Sequence, residues 1–317
     1  MTTAARRRSL LGLVGLVAVV ALLASVAGVG SPARAATGRE PGPFRGLGTW
    51  VDVYDYGPSF QDAGAVPAVT VDSVDDMARL GVKTLYLQAA QDDRRSEGNL
   101  VDRALVGDFL GRAHRRGVQV VAWYLPHLAD VPADLRRVRA LARFRAGGER
   151  FDGIALDIEW TRDVPDVAAR NTALVTLSRK ARAAVRDTPL GAIVLEPVLT
   201  EDVNRAYWPD FPWRRLRSAY DVWLPMAYWT NRNEPSGWKD GFRYTDENVR
   251  RLRRNLGLPK AVVHPIGGIG DQATTGDYQG FVRAARRQHA VGWSIYDFVT
   301  TSSSAWPTLR GDGVSRT

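Results

Sequence analysis

The stretch that decides the fold is Phe151-Asp152-Gly153-Ile154-Ala155-Leu156-Asp157-Ile158-Glu159-Trp160. In a β-strand, successive side chains point to opposite faces, so Ile154, Leu156 and Ile158 share one apolar face. The other face carries Ala155 and ends in two acids, Asp157 and Glu159. A strand buried in a parallel sheet is normally apolar on both faces. Because buried carboxylates are costly unless they are paired or used in chemistry, this strand predicts a site at its C-terminal end.

Short apolar runs like this one recur at intervals of about thirty to forty residues, and most are separated by a helical pattern. The predicted strands are 46–54, 82–88, 118–124, 152–158, 192–198, 222–228, 261–266 and 291–297, and the predicted helices are 73–80, 101–116, 133–145, 164–186, 246–255 and 276–288. Alternating strands and helices are typical of a parallel sheet. Eight strands in about 270 residues predict the α/β class, as a single closed (β/α)8 TIM barrel over residues 46–310. The alternative, an open doubly wound sheet, requires a glycine-rich phosphate loop after the first strand, and residues 51–56 offer none.

The first 35 residues have the pattern of a secretory signal peptide. Arginines at 6–8 precede an uncharged run over 10–30, and a small-x-small pattern at 33–35 predicts cleavage after Ala35. The arginines also fit a twin-arginine signal, and the apolar run is long enough to be an uncleaved anchor. We expect cleavage by the Sec or Tat route, a linker over residues 36–45, and a secreted protein. If the signal segment were instead retained, the protein would contact a membrane through that segment alone.

Composition narrows the classes of function. The chain has no cysteine, which excludes disulfides and thiolate metal sites, and its four histidines lack metal-ligand spacing. We therefore expect no metal and no cofactor. The formal net charge of +9 falls to +5 without residues 1–35, and five arginines between 136 and 145 are most simply the solvated face of one helix. This charge is too dispersed for nucleic-acid binding, although weak attraction to anionic wall polymers fits it. We expect a monomer.

Polar and aromatic side chains gather at the predicted C-terminal strand ends, where barrels of this kind build their sites. We expect catalytic residues Asp157, Glu159 and Glu196 within a substrate-binding group of Asp52, Gln88, Tyr124, Trp160, Tyr228, Trp229, His264, Tyr296 and Asp297. Lysine and arginine are absent from this set, which disfavours a phosphorylated substrate. Carboxylates for acid–base chemistry and flat aromatic rings for sugar faces predict a glycan substrate.

Several of these residues have structural alternatives. Tyr228 and Trp229 can equally pack in the core, and His264 is of a type that is more often structural than a ligand. Asp55 lies three positions from Asp52, so the two cannot both face the barrel axis in a regular strand. The glycine-rich segment 266–270 favours a tight turn.

Residues 152–159 resemble the fourth-strand signature of glycoside hydrolase family 18, the chitinase and endo-N-acetylglucosaminidase group. That signature is Asp-Gly-x-Asp-x-Asp-x-Glu; seven of the eight positions fit and Ala155 departs. Met226-Ala227-Tyr228 is similar to the family's Met-x-Tyr, and residues 291–296 resemble its eighth strand, with Tyr296 where the family often has Trp. The family's Ser-x-Gly-Gly on the third strand is missing, and Trp229 stands where an acid normally follows Met-x-Tyr. The resemblance therefore implies a distant hydrolase-like branch rather than a standard chitinase.

The resemblance implies that Glu159 is the general acid, that Asp157 binds the acetamido group attacking the anomeric carbon, and that Tyr228 hydrogen-bonds its carbonyl. From the residues alone, two acids two positions apart on one strand face have Cα atoms about 6–7 Å apart, so their charges oppose joint ionisation. We expect an enzyme that cleaves glycosidic bonds of a polysaccharide or glycan. Two alternatives stay open: a hydrolase with Asp157 as nucleophile and Glu196 as acid, and a catalytically inactive carbohydrate-binding barrel, which Ala155 favours.

Overall fold

The computed structural model describes residues 40–314, and the predicted signal segment lies outside that part of the chain. Within it, eight parallel strands close into a barrel in sequence order. The strands are β1 Gly46–Val51, β2 Thr84–Gln88, β3 Gln119–Tyr124, β4 Gly153–Ile158, β5 Leu190–Val194, β6 Val222–Ala227, β7 Ile266–Gly268 and β8 Gly292–Tyr296. The predicted single (β/α)8 barrel is confirmed.

Helices fill the intervals between the strands. They are α1 Val53–Tyr56, α2 Ser73–Arg79, α3 Arg103–Arg115, α4 Val131–Arg143, α5 Val167–Val185, α6 Trp213–Leu216, α7 Gly241–Leu256, α8 Thr275–Arg287 and α9 Trp306–Arg310. The predicted helices agree with these bounds within three residues, except that α7 begins five residues earlier than predicted. The reason is an N-cap: the Asp240 side chain accepts the backbone N–H of Arg243 at 2.6 Å. No helix among residues 40–314 is both long and apolar enough to cross a membrane.

Two strands differ from their predicted positions. We predicted the seventh strand over 261–266, but β7 is the short glycine-rich segment that the sequence favoured as a tight turn. A Cβ atom at Gly267 would lie 2.9 Å from the Trp229 ring and 3.0 Å from Phe281, so this strand needs glycine to pack under its neighbours. The fifth strand ends at Val194, four residues before its predicted end, because the chain turns into a helical segment around Pro197.

Aromatic side chains fill the interior of the barrel. Trp50 stacks on Tyr86 with ring centroids 4.3 Å apart, and Trp123 meets Trp50 edge-on at 5.9 Å. Phe44, from the segment that we assigned to a linker, is fully buried at the opposite end. A Cβ atom at Gly191 would lie 2.8 Å from its ring, so Phe44 closes the bottom of the barrel. At the other end of the barrel, the interior opens into a cavity at the C-terminal ends of the strands.

Candidate active site

A cavity of about 500 Å³ opens at the mouth of the barrel. Its polar and aromatic lining consists of Trp50, Asp52, Tyr54, Gln88, Gln91, Asp92, Asp93, Trp123, His127, Asp157, Glu159, Trp160, Tyr228 and Tyr296. Seven of the twelve predicted site residues are in this set, namely Asp52, Gln88, Asp157, Glu159, Trp160, Tyr228 and Tyr296. This lining contains neither arginine nor lysine.

Asp157 and Glu159 project into the cavity from the end of β4. Asp157 pairs in register with Ile193 of β5, which also lines the cavity. Asp157 is 8% exposed, and its Oδ1 atom is buried without a hydrogen-bond partner among the described residues. Burial raises the pKa of Asp157 well above its usual value, with the charge of Glu159 as a second cause, and burial also raises the pKa of Glu159. The pair can therefore hold a proton at a pH where an exposed carboxyl has lost it.

The wall at β1, β2 and β8 is held by hydrogen bonds among its polar side chains. The Tyr296 hydroxyl donates to Asp52 Oδ2 at 2.8 Å. Gln88 accepts the backbone N–H of Val53 at 3.1 Å and donates through Nε2 to Gln91 at 2.7 Å. These contacts fix the side chains before any ligand arrives, which lowers the ordering cost of binding.

Flat aromatic surfaces form the other walls. The Trp160 ring stacks on His127 with centroids 4.4 Å apart and planes 8° from parallel. His127 Nδ1 lies 3.1 Å from a carboxylate oxygen of Asp163, which orients the imidazole. The indole N–H groups of Trp160 and Trp123 are buried without an acceptor among the described residues. The cavity thus offers aromatic faces, which suit the flat faces of sugar rings.

Trp50 and Trp123 line the cavity but were not among the predicted site residues, because Trp50 lies inside the predicted first strand and Tyr124 was chosen at the end of the third. A signal for Trp50 was present, because it lies two positions before Asp52 and therefore on the same face of β1. Trp123 lies next to Tyr124, so alternation alone does not say which of the two aromatic residues faces inward.

Three carboxylates lie close together beside the end of β1, and one of them, Asp52, also lines the cavity. Asp52, Asp55 and Asp297 have oxygen atoms within 4.8 Å of one another. Strand β1 ends at Val51, and Asp52 caps the short helix α1 that follows it. The Asp55 side chain, in the first turn of that helix, therefore accepts the Asp52 backbone N–H at 3.1 Å. Burial, followed by the charge of Asp52, raises the pKa of Asp55 to about 7. The group has the donor atoms for a metal ion, but each carboxylate already accepts hydrogen bonds within the protein, and we assign no metal to it.

Glu196 does not line the cavity, which corrects its predicted place among the converging carboxylates. It is 2% exposed, accepts the Tyr244 hydroxyl at 3.0 Å and lies 3.7 Å from the Arg232 guanidinium. Burial raises the pKa of Glu196 to about 7. Because β5 ends at Val194, Glu196 is turned toward helix α7, which supplies Tyr244, although the charge of Glu159 still contributes to its raised pKa.

Four further predicted residues also lie outside the cavity lining. Tyr124 points outward and donates its hydroxyl to Asp134 at 2.5 Å, and Trp229 is buried against Phe281. His264 lies in the barrel interior, where its Nδ1 atom is 2.8 Å from the carbonyl oxygen of Phe44 and burial lowers its pKa to about 4.

The fourth of these residues, Asp297, follows β8 and accepts the backbone N–H of Thr300 at 2.8 Å. It therefore backs the cavity wall through the carboxylate group with Asp52. These corrections leave Asp157 and Glu159 as the predicted catalytic residues that lie within the cavity.

No family model and no curated protein matches this chain, but solved structures do. The glycoside hydrolase domain of PgaB (BpsB) from Bordetella bronchiseptica is 16% identical, with a TM-score of 0.58 over 85% of this chain and 99% of that one. A mutant family 18 chitinase from Cycas revoluta in complex with (GlcNAc)4 is 14% identical, with a TM-score of 0.57 over 84% and 98%. The fold is similar to that of chitinase-like glycoside hydrolases.

A chitinase-like agglutinin from Robinia pseudoacacia is also similar, at 14% identity and a TM-score of 0.55 over 84% of this chain and 99% of that one. Identities this low show the fold, and they are consistent with a distant relative of family 18. The neighbours include both a hydrolase domain and an agglutinin, so the choice between cleavage and binding rests on the residues of this chain.

Proposed function

We propose that this protein is a glycoside hydrolase-like enzyme that cleaves glycosidic bonds in a polysaccharide or glycan. The observation that carries the proposal is the Asp157–Glu159 pair, which faces a cavity walled by aromatic rings and has raised pKa values. A general acid must hold its proton near neutral pH and release it to the leaving oxygen, and burial in this cavity favours the protonated form.

Glu159 donates a proton to the glycosidic oxygen as the bond to the anomeric carbon breaks. The carbonyl oxygen of a substrate acetamido group attacks that carbon from the other side, and water later opens the resulting ring. Asp157 accepts a hydrogen bond from the acetamido N–H, and the Tyr228 hydroxyl donates to the acetamido oxygen. The position of Glu196 favours this substrate-assisted route, because a carboxylate held by Tyr244 outside the cavity lining is poorly placed to act as the second catalytic group.

The deciding experiment compares purified wild-type protein with Glu159→Gln on a panel of N-acetylated and non-acetylated glycans. Glutamine fills the same space but has no carboxyl proton to give, so turnover should fall by about 10²–10⁴-fold. Glu234→Gln is the matched control, because the Glu234 side chain is 81% exposed and lies outside the cavity. If both variants turn over alike, Glu159 is not the acid.

Asp157→Asn separates the two catalytic routes. In the substrate-assisted route some rate should survive, and sugars without an N-acetyl group should be poor substrates. If Asp157 is the nucleophile, the asparagine variant should be as inactive as Glu159→Gln, and Glu196→Gln should be inactive too.

A carbohydrate-binding barrel without activity is the second candidate, and Ala155 is the observation that favours it. The family signature has an acid there, and this chain has a buried methyl group beside Trp123. If wild type cleaves nothing on the panel while Glu159→Gln binds glycan as tightly as wild type does, the binding function replaces the enzyme.

We also propose that the mature protein is exported and begins at Ala36, on the strength of the N-terminal sequence pattern. N-terminal sequencing of the protein recovered outside the cell tests this. A first residue of Met1, or recovery from membranes alone, would contradict export with cleavage.

A further inference from the structure

A second concave surface lies at the end of the barrel opposite the mouth, and it encloses about 1030 Å³. Residues at or just before the starts of strands border it: Gln119 of β3, Asp152 ahead of β4 and Pro189 ahead of β5. Its sides come from the C-terminal halves of helices α4 and α5. We call it the basal groove and define it by its cationic lining residues Arg139, Arg143, Arg145, Arg150, Lys180 and Arg186.

The basal groove carries a concentrated positive charge. Six cationic side chains face two carboxylates, Asp152 and Asp187, which leaves an excess of four positive charges. All six cations are exposed, and they come from several separate elements of the fold. The groove therefore concentrates cations in excess of the carboxylates that line it.

Helix ends do not cancel this charge. Arg143 lies in the last turn of α4 and Arg186 follows the end of α5, where the helix dipoles favour cations. Each helix C-terminus is equivalent to roughly half a negative charge, so the two together offset about one of the four. About three positive charges remain for an external partner.

The backbone at Arg186 adds an independent observation. Its φ is 49° and its ψ is −110°, a conformation that residues with a side chain rarely adopt. The Arg182 guanidinium donates to the Arg186 carbonyl and so helps to hold the chain in this shape. Strained backbone of this kind concentrates at functional sites. Here it fixes the point from which the Arg186 side chain reaches the groove.

The lining also indicates which polyanion fits. Its one aromatic residue, Phe151, is 4% exposed and stacks on Phe144, so no flat ring is available for nucleic-acid bases. The other apolar lining residues are alanine, valine and proline, which do not offer the large side chains that enter a membrane interface. Guanidinium groups match carboxylates in shape and charge. We propose that the basal groove binds a carboxylate-bearing polysaccharide, and the choice of a polysaccharide rests on the proposed function.

Binding at this end would leave the mouth open. A protein anchored on an acidic polymer through the groove could still admit a second glycan chain at Asp157 and Glu159. The groove thus predicts a polymer-binding activity that does not depend on catalysis.

The test uses oligogalacturonates of defined length as the probe and measures their dissociation constants at low salt. The groove variant is Arg139→Gln, Arg143→Gln and Lys180→Gln together. The control carries Arg214→Gln, Arg215→Gln and Arg217→Gln, three exposed arginines at α6 outside the groove, so both lose the same charge. Losing three exposed ion pairs should weaken binding about tenfold in the groove variant, and the control should change by less than about twofold.

Three additional measurements sharpen the test. Binding should weaken strongly between 50 and 500 mM NaCl, because the screening length shortens from roughly 14 Å to 4 Å. Glu159→Gln should bind the oligomers as wild type does, because the groove lies away from the mouth; this result stands even if the protein proves to have no hydrolase activity. Matching thermal midpoints for wild type and both triple variants establish that each is folded.

The proposal is overturned if the groove variant binds as wild type does, or if the control variant loses as much affinity. It is also overturned if Glu159→Gln abolishes binding, which would place the polymer in the mouth. Tighter binding of a single-stranded oligonucleotide than of oligogalacturonate at the same salt would likewise refute it.

Discussion

Restoring the acid of the family signature by Ala155→Asp should damage this barrel and should do so in a pH-dependent way. Ala155 is fully buried on the inner face of β4. Its register partners are Trp123 on β3 and Gly191 on β5, and neither offers a cation. Trp50 packs edge-on against Trp123, so aromatic rings occupy the interior near this level of the barrel. A new carboxyl at 155 would also lie two positions from Asp157, on the same face of the strand.

The magnitude follows from proton linkage. In the unfolded chain an aspartate ionises at about pH 3.9. Burial together with the neighbouring acid should raise its folded pKa by at least about 3 units, which keeps it protonated at pH 7. Each unit costs about 1.4 kcal/mol, so this contribution is close to zero below pH 4 and about 4 kcal/mol at pH 7. A buried polar group without a partner adds about 1–3 kcal/mol at every pH.

The assay is urea unfolding followed by tryptophan fluorescence, at pH 4 and pH 7, for wild type, Ala155→Asp and Ala155→Asn. Asparagine has nearly the same size but does not titrate, so it should show the pH-independent cost alone. We expect the two variants to be equally destabilised at pH 4 and to differ by about 4 kcal/mol at pH 7. Equal costs at both pH values, or a stabilised Ala155→Asp, would refute the argument that this level of the barrel excludes charge.

Two more predictions concern stability. Burial raises the pKa of Glu196 to about 7, so its ionisation destabilises the fold increasingly as pH rises from about 4.5 to 7. Relative to wild type, Glu196→Gln should therefore gain about 3 kcal/mol of unfolding free energy between pH 4.5 and pH 8 in chemical denaturation, and a parallel pH profile would contradict this. Gly191→Ala should cost about 1–3 kcal/mol, because its Cβ atom would lie 2.8 Å from both Leu224 and Phe44. Its thermal midpoint should fall while its glycan binding stays that of wild type, and an unchanged midpoint would show that the bottom of the barrel adapts freely.

The alternation of apolar and polar side chains along β4 was the most informative pattern in the sequence. Ala155, Asp157 and Glu159 share one face because of strand geometry, and a barrel requires that face to be either its interior or its outer layer. Two acids are tolerated at the mouth of the barrel, where water or substrate reaches them. The face of β4 that carries Asp157 and Glu159 was therefore predicted to point into the barrel. Regular spacing of apolar runs then predicted eight strands without any need to know their exact ends.

The misplaced residues have a common physical cause, which is that alternation does not specify where a strand stops or which of two similar neighbours turns inward. Trp123 and Tyr124 are both aromatic, and the choice between them depends on Asp134 of α4, which accepts the Tyr124 hydroxyl. The seventh strand was predicted in the wrong place because Trp229 packs so closely against β7 that the strand requires glycine, and glycine in a sequence favours a turn. These preferences come from tertiary contacts that a single strand pattern does not contain.

The arrangement of carboxylates favours one chemistry over its rival. Besides Asp157 and Glu159, the cavity lining contains the carboxylates of Asp52, Asp92 and Asp93. Asp92 is paired with Arg137 and Asp93 with Arg95, and each charge is already used.

The two oxygens of Asp52 accept the Tyr54 N–H at 2.7 Å and the Tyr296 hydroxyl at 2.8 Å, which fixes the carboxylate in the β1 wall. With Glu196 outside the lining, no carboxylate in the cavity is both unengaged and distinct from the pair on β4. In the proposed mechanism, where Asp157 is not the nucleophile, a glycosidic bond held beside Glu159 finds its nucleophile in the substrate itself. An acetamido sugar supplies such a nucleophile and a neutral glucan does not, so activity by this route should depend on N-acetylation.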